Sequence, residues 1–405
     1  MRIPRVAALS ALLSLAGLCL SGGVAWAGGD TVRIGVLNDQ TGMNADLSGQ
    51  GSVIAARMAA EDAGGSVAGK KIEIIFADHQ NKADIGSSIA TRWYDSEGVD
   101  AIVDLPFSSV ALAVQDVARQ RQKIVLFSGP GSSDLTGKAC SPFGFHWTFD
   151  TVALARGTGS AVVKSGGDTW FFLTSDYAFG HALAKDTMEV VKANGGKVLG
   201  EAVHPVNTSD FSSYLVQAQA SGAKIIGLAN GATDTTNSIK QAHEFGLTDH
   251  GQKLAGLLVF ITDVHSLGLQ TAQGLQLTSS FYWDQTDATR AFAKRFGERM
   301  HGTMPSMAQA GVYSAVAHYL KAVAAAGTTD GPAVAAKIRE IPINDFMSKD
   351  VHIRRNGRVM RDFYLFEVKS SAESKGSWDL YKQIRVIPAE DAARPESEDA
   401  CPLSK

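Results

Sequence analysis

Hydrophobic positions along this chain fall into two alternating patterns once a first apolar stretch, Val6 to Leu20, has passed. Short β-branched runs at Val32–Leu37, Ile72–Ala77, Ala101–Val103 and Ile124–Phe127 read as buried strands. Between them Gly49–Asp62, Ile85–Asp95 and Val110–Arg119 carry apolar residues at helical spacing. This is the rhythm of βαβ units in one open parallel sheet. A second series follows Trp147: helix Ala153–Lys164, strand Thr169–Leu173, helix Phe179–Asn194, strand Lys197–Val203, helix Phe211–Ser221, strand Lys224–Leu228, helix Thr235–Phe245, strand Leu254–Phe260. After Leu275–Tyr282 come two helices with Ala-rich faces, Ala288–Met300 and Gln309–Ala326. Phe363–Val368 with Trp378–Tyr381, separated by the polar turn Ser370 to Gly376, reads as antiparallel hairpin material.

The repeat of one pattern predicts an α/β fold of two doubly wound, Rossmann-like lobes, and 405 residues exceed what one core usually organises. The chain is expected to cross between lobes three times, near Thr148, Trp283 and Pro342. The first lobe then comprises 28–148 and 284–341, the second 149–283 and 342–389, with 390–405 as a tail. Three crossings make a hinge whose opening exposes a cleft lined by both lobes.

Arg2 and Arg5 ahead of the first apolar stretch, and Ala25-Trp26-Ala27 behind it, mark residues 1–27 as a secretory leader. The stretch falls short of the roughly 20 residues a spanning helix needs. Leu18 before Cys19 disfavours a lipoprotein site, so a soluble periplasmic protein is expected. Lys and Arg number 38 against 41 Asp and Glu, without the basic surplus that nucleic-acid binding requires. Only Cys140 and Cys401 survive cleavage. In an oxidising compartment a bridge between them is expected, which would tie the polar tail to the loop after the fourth strand; two free thiols are the competing reading.

Two loops carry the candidate chemistry. Ile102-Val103-Asp104-Leu105-Pro106-Phe107-Ser108-Ser109 and Ile124-Val125-Leu126-Phe127-Ser128-Gly129-Pro130-Gly131-Ser132-Ser133 each run from a strand into a serine-bearing loop. In a parallel sheet both emerge at the carboxyl edge, where helix amides and hydroxyls hold an anion such as a carboxylate. Behind a leader this points to capture of a small molecule. Catalytic patterns fail on inspection. Gly64 to Lys70 has Walker-A spacing, but Lys71 stands where Ser or Thr would hold magnesium, and the segment precedes a strand. Neither a Gly-x-Ser-x-Gly elbow nor a His-Glu-x-x-His helix occurs. The acid–histidine neighbours Asp78-His79, His243-Glu244 and Asp249-His250 are adjacent only along the chain. No cofactor or metal is expected. A sensor domain with the same clamshell is the rival to a transport component.

Taken in order, Ile34-Gly35-Val36-Leu37-Asn38-Asp39-Gln40-Thr41-Gly42, Phe107-Ser108-Ser109, Gly131-Ser132-Ser133-Asp134-Leu135-Thr136 and Asp176-Tyr177-Ala178-Phe179-Gly180 resemble the Leu/Ile/Val-binding family of periplasmic solute-binding proteins, which serve ABC importers. The resemblance covers nearly the whole mature chain. It implies the type I periplasmic binding protein fold, a monomer, a membrane permease as partner, and a small carboxylate as ligand, either a branched-chain or other amino acid or an aromatic acid. By the same resemblance Phe107, Ser108, Ser109, Gly129, Gly131 and Ser132 hold the ligand carboxylate, with Ser109 opening a helix. Tyr177 and Phe179 cover the ligand body, Asn230 and Gly231 supply a second-lobe loop, and Asp263 falls near the acidic position that pairs with an ammonium. Tyr282 either walls the cleft or staples the hinge. Leu47 stands where amino-acid binders often have an aromatic ring, and Asp39 to Gly42 with Ser132 to Cys140 resemble a branch associated with aromatic acids.

Overall fold

The computed structural model describes Met1, residues 30–247 and residues 251–404. The leader, Cys19 and the Asp249-His250 pair lie outside the described residues. Strands β1 (Thr31–Asn38), β2 (Ser66–Val67), β3 (Lys70–Asp78), β4 (Ala101–Asp104), β5 (Ile124–Phe127) and β6 (Gly144–His146) form one sheet in the order β2-β3-β1-β4-β5-β6. Every pairing is parallel except the β2–β3 hairpin. Helices α1 (Gly49–Asp62), α2 (Ala83–Asp95) and α3 (Ser108–Gln120) are the crossovers. Val32, Ile34, Val36, Ile102, Val103 and the whole of β5 are fully buried, because helices cover both faces of a parallel sheet. The segment with Walker-A spacing is the β2–β3 hairpin, turned by Ala68 and Gly69 at φ of 50° and 77°.

Helices α4 (Thr151–Leu154) and α5 (Ser160–Lys164) are joined by one π turn, Ala155–Gly159, so the single helix expected at Ala153–Lys164 carries a bulge. Then come β7 (Thr169–Ser175), α6 (Ala178–Ala193), β8 (Lys197–His204), α7 (Ser212–Ala220), β9 (Ile225–Ala229), α8 (Ala232–Glu244) and β10 (Lys253–Gly256). They build a second parallel sheet in the order β10-β9-β7-β8. Both sheets reverse strand order once, between β1 and β4 and between β7 and β9. The crevices that such reversals leave at the carboxyl ends of strands are where open α/β sheets bind ligands.

Helices α9 (Ile261–Leu267) and α10 (Leu269–Ala272), β11 (Gln276–Ser279), α11 (Asp287–Arg299), α12 (Met307–Ala326), α13 (Gly331–Glu340), β12 (Phe363–Val368), β13 (Tyr381–Ile387) and α14 (Ala389–Ala392) complete the chain. β11-β12-β13 is a separate antiparallel sheet. The strand expected at Leu254–Phe260 ends at Gly256, because Phe260 caps the next helix: Asp263 accepts the Phe260 amide at 2.8 Å. The second hairpin strand begins at Tyr381, where Trp378–Tyr381 had been expected to form it, and runs on through Lys382, Gln383 and Arg385.

The stretch after Pro342 stays with the first sheet's helices. Phe346 stacks on Phe292 of α11 at 4.0 Å, Lys321 of α12 donates to the Asn344 carbonyl at 3.0 Å, and Arg358 bridges to His146 of β6. Arg358 is 4% exposed and its guanidinium lies 2.8 Å from the Asp150 carboxylate, at an angle that makes the contact an ion pair and not an aligned hydrogen bond. Asp150 also caps α4, accepting the Ala153 amide at 2.8 Å. Past β13 the tail returns across the same region. Arg394 meets Asp186 of α6 at 2.9 Å, and Asn356 donates to Asp399 at 2.8 Å. Cys401 is disulfide-bonded to Cys140, 261 residues earlier, with their Cα atoms 5.7 Å apart.

Candidate ligand site between the two sheets

The first sheet's half of the site is organised by Asp104, the last residue of β4, which is fully buried with φ of 88°; Leu105 follows at 60°. Left-handed backbone at two consecutive non-glycine residues is strained and persists only where the surroundings enforce it. Here they do. The Asp104 carboxylate accepts from Asn38 Nδ2 at 2.9 Å and from Ser48 Oγ at 2.6 Å, and its carbonyl accepts the Ser128 and Gly129 amides at 3.3 and 3.2 Å. Burial pushes its pKa up against these donors. One residue thus ties together the loops that carry Leu47, Phe107 to Ser109, and Gly129 to Ser132.

Helix α3 starts at Ser108, one residue earlier than Ser109, with Phe107 in the cap position and no side-chain cap. The Ser108, Ser109 and Val110 amides therefore lie in the first turn, where no intrahelical acceptor exists. Ser108 is fully buried and its Oγ accepts the Ser132 amide at 3.2 Å, joining the two serine loops. Ser132 Oγ in turn accepts from Asp134 at 3.4 Å, across the short 3-10 turn Ser133–Leu135. Neither Gly129 nor Gly131 has positive φ. What both require is close approach: a Cβ on Gly129 would fall 2.7 Å from Pro106 Cα, and one on Gly131 would fall 2.7 Å from the Phe179 ring and 2.9 Å from Phe149.

The second sheet brings Tyr177 to the cap position of α6. Its ring lies parallel to Phe107 from the first sheet, with centroids 4.4 Å apart and planes at 13°, and Phe179 follows at 5.9 Å. Phe149 meets Phe260 edge-on at 5.9 Å. Tyr177, Phe179 and Phe260, with Leu47, Pro106, Gly131, Gly231 and Leu258, line a space of about 10 Å³, roughly one water. Phe260 is a lining residue that sequence reasoning missed, with Phe149 packed against it and close to Gly131. Each follows a carboxyl strand end, as the recognised loops do, but in the sequence Phe260 reads as the end of its strand.

Three expected site residues face elsewhere. Asn230 is fully buried, its Oδ1 accepting Thr235 Oγ1 at 2.8 Å and its Nδ2 lying 3.3 Å from His204 Nε2; only its neighbour Gly231 reaches the rings. Asp263 is held by the Phe260 amide. Tyr282 sits in the second core against Tyr381 and Phe366, with its hydroxyl donating to the Trp378 carbonyl at 3.3 Å and accepting the Leu380 amide at 3.2 Å. It lines no part of the ring-enclosed space.

Burial is the main cause that raises Asp263 to about 7, with the charge of Asp46 adding to it. Its folded pKa thus exceeds the unfolded value of about 3.9. Between those values the folded state binds more protons than the unfolded state, so stability falls as pH rises through the window. Asp263→Asn is expected to flatten that decline, which urea unfolding at pH 4.5 and pH 7.5 measures.

Among the described residues no helix is long and apolar enough to cross a membrane, and no group of His, Cys, Asp or Glu is placed to hold a metal. What the arrangement offers is positive helix termini of α3, α6 and α8 meeting a cage of rings.

A family model described as periplasmic binding protein matches residues 31–376. A periplasmic binding protein from Burkholderia mallei is 52% identical, with 93% of this chain and 100% of that one covered at a TM-score of 0.91. A branched chain amino acid ABC transporter periplasmic ligand-binding protein from Burkholderia xenovorans LB400 is 39% identical, with 92% and 100% covered at 0.83. An amino acid binding protein of Pseudomonas aeruginosa is 24% identical over 340 residues, which is 83% of this chain and 90% of that protein. The chain belongs to the periplasmic binding protein family, in its two-lobed type I fold, and members of that family are binding proteins of transporters rather than enzymes.

Proposed function

We propose that this protein is exported through its leader, captures a small carboxylate-bearing solute between its lobes in the periplasm, and presents the closed complex, as a monomer, to an ABC permease. In this reading the third crossing follows Arg361 instead of lying near Pro342, so the first lobe takes residues 30–148 with 284–361 and the second 149–283 with 362–389. The observation that carries this reading is the direct meeting of Phe107 with Tyr177, each at the strand-order reversal of its own sheet, beside the open first turn of α3. Amides of Ser109 and Val110, with the Ser109 and Ser132 hydroxyls, hold the carboxylate, and Tyr177 and Phe179 close over the body. Closure requires that the ligand bind the closed form more tightly than the open one.

Small-angle scattering with and without ligand tests closure, and calorimetry on Ser109→Ala and Ser132→Ala tests the anchor. A hydrogen bond to a charged group contributes about 1.5–3 kcal/mol, so each variant is expected to bind roughly tenfold to a hundredfold more weakly. Unchanged affinity in both would remove the carboxylate anchor. Gly131→Ala overpacks the closed cage, at a cost of about 1–3 kcal/mol. It is expected to weaken binding by tenfold or more while leaving unfolding of the ligand-free protein nearly unchanged.

A further inference from the structure

We propose, resting on the hinged capture reading above, that the tail at residues 390–404 is a strap that limits how far the lobes part, fastened by the Cys140–Cys401 disulfide. After β13 the tail makes two separate sets of contacts. The first is with the second lobe. α14 packs on α4, and the Asp391 carbonyl accepts Arg156 of the π turn at 3.3 Å. The Arg394 guanidinium then reaches Asp186 of α6 at 2.9 Å. The second set is with the first lobe. Arg354 donates to the Arg394 carbonyl at 2.7 Å and pairs with Glu390, Asn356 donates to Asp399 at 2.8 Å, and Cys401 is bonded to Cys140.

Asp186 shows how closely the strap lies over the junction. It is 4% exposed, and besides Arg394 it receives Ser133 Oγ at 2.8 Å and Thr151 Oγ1 at 2.5 Å. Ser133 belongs to the first lobe and directly follows Ser132, whereas Thr151 lies just past the first crossing. The space left under the tail, bounded by Ser133 and Gly137 on one side and Val152 on the other, measures about 20 Å³, roughly one water. The tail is therefore seated on both lobes at once.

Parting the lobes pulls the two sets of contacts away from each other. A tail with a free end would peel from whichever lobe held it less. One bonded at its end has to stretch or give up the Arg394 anchor. There is little slack to stretch, because Glu396–Glu398 form a 3-10 turn and Asp399 accepts the Cys401 amide at 2.9 Å. The bond is a fastening and not a sensor. Cys401 is fully buried and Cys140 is 6% exposed, and a thiol reductant needs access to a sulfur to attack it. A strap that narrows the range of open forms also leaves less conformational freedom to lose on closure.

Pulsed electron paramagnetic resonance on the ligand-free mature chain reads the opening directly. Labels carried on p-acetylphenylalanine in place of Lys82 and Ser209 avoid the cysteines; both positions are exposed, past the carboxyl ends of β3 and β8. Cys401→Ser is expected to shift the distance distribution to longer values and to broaden it. Arg394→Gln, which keeps the disulfide, is expected to shift it in the same direction. Leu215→Ala truncates the second core in α7, away from the tail, so it lowers stability too; its distribution is expected to match the wild type. If neither tail variant moves a wild type that is itself broad, the strap is overturned and the hinge stands. One narrow distance in all the proteins overturns strap and hinge together. Broadening by Leu215→Ala as large as that by Cys401→Ser assigns the effect to lost stability and overturns the strap.

Discussion

Arg358→Ala is expected to destabilise the protein by about 3–5 kcal/mol, because it leaves the Asp150 carboxylate buried without its counter-charge. The two residues lie where two of the connections between lobes pass each other, and both are nearly sealed from solvent, with side-chain exposures of 5% and 6%. Burial lowers the Arg358 pKa from its ordinary value, the Asp150 charge opposes that shift, and the nearby Arg354 adds to it. Arg358→Met restores volume without charge and is expected to lose a similar amount. The double variant Asp150→Asn with Arg358→Met removes both charges and keeps an oxygen for the Ala153 amide. It should recover most of the loss, as neutral replacements of buried pairs often do. Urea unfolding of the wild type, Asp150→Asn, Arg358→Met and the double variant forms the cycle, and a double variant no better than the worse single one would show that the pair acts through packing alone.

The second large effect is expected from Cys401→Ser. A bridge that closes so long a loop restricts the unfolded chain, and its removal typically costs about 2–4 kcal/mol. Since a kilocalorie moves the midpoint of a large domain by roughly 2–4 °C, the melting temperature should drop by about 4–16 °C. Reduction of the wild type with dithiothreitol in mild denaturant should bring it to the variant's midpoint and leave the variant where it is. If reduction shifts both equally, or neither, the disulfide contributes no stability of its own.

Much of the architecture was readable because burial on both faces turns a parallel strand into an uninterrupted apolar run. Ile124–Phe127 and Gly49–Asp62 have the same bounds in the sequence reading and in the folded chain. Elements below that threshold escaped notice. β2 and β6 are only two and three residues long, too short to show a period. Helix α13 did carry a signal, Asp330 capping the Ala333 amide with Pro332 in the first turn, but its ten residues present a weak apolar face.

The loops of the site were locatable since they follow strand ends. The direction of each side chain in them was not. Nothing along the chain distinguishes an Asn230 turned toward His204 from one turned toward a ligand, or an Asp263 that caps its own helix from one that waits for a cation. Those choices are made by partners more than 20 residues away or by the local cap, and they appear only after both sheets have docked. The late hairpin strand shows the same limit: four of its seven residues face water, so Lys382, Gln383 and Arg385 hide a strand that exposure alone would call a loop.

The Asp104 tether has a kinetic consequence. A surface whose loops are pinned to one another before any solute arrives has no folding step left to perform on encounter. Arrival at the first lobe should then run at a rate set by diffusion and orientation, with little temperature dependence beyond that of solvent viscosity. Discrimination between solutes would reside in how long each keeps the second lobe shut, so that related compounds differ in residence time far more than in how quickly they are picked up.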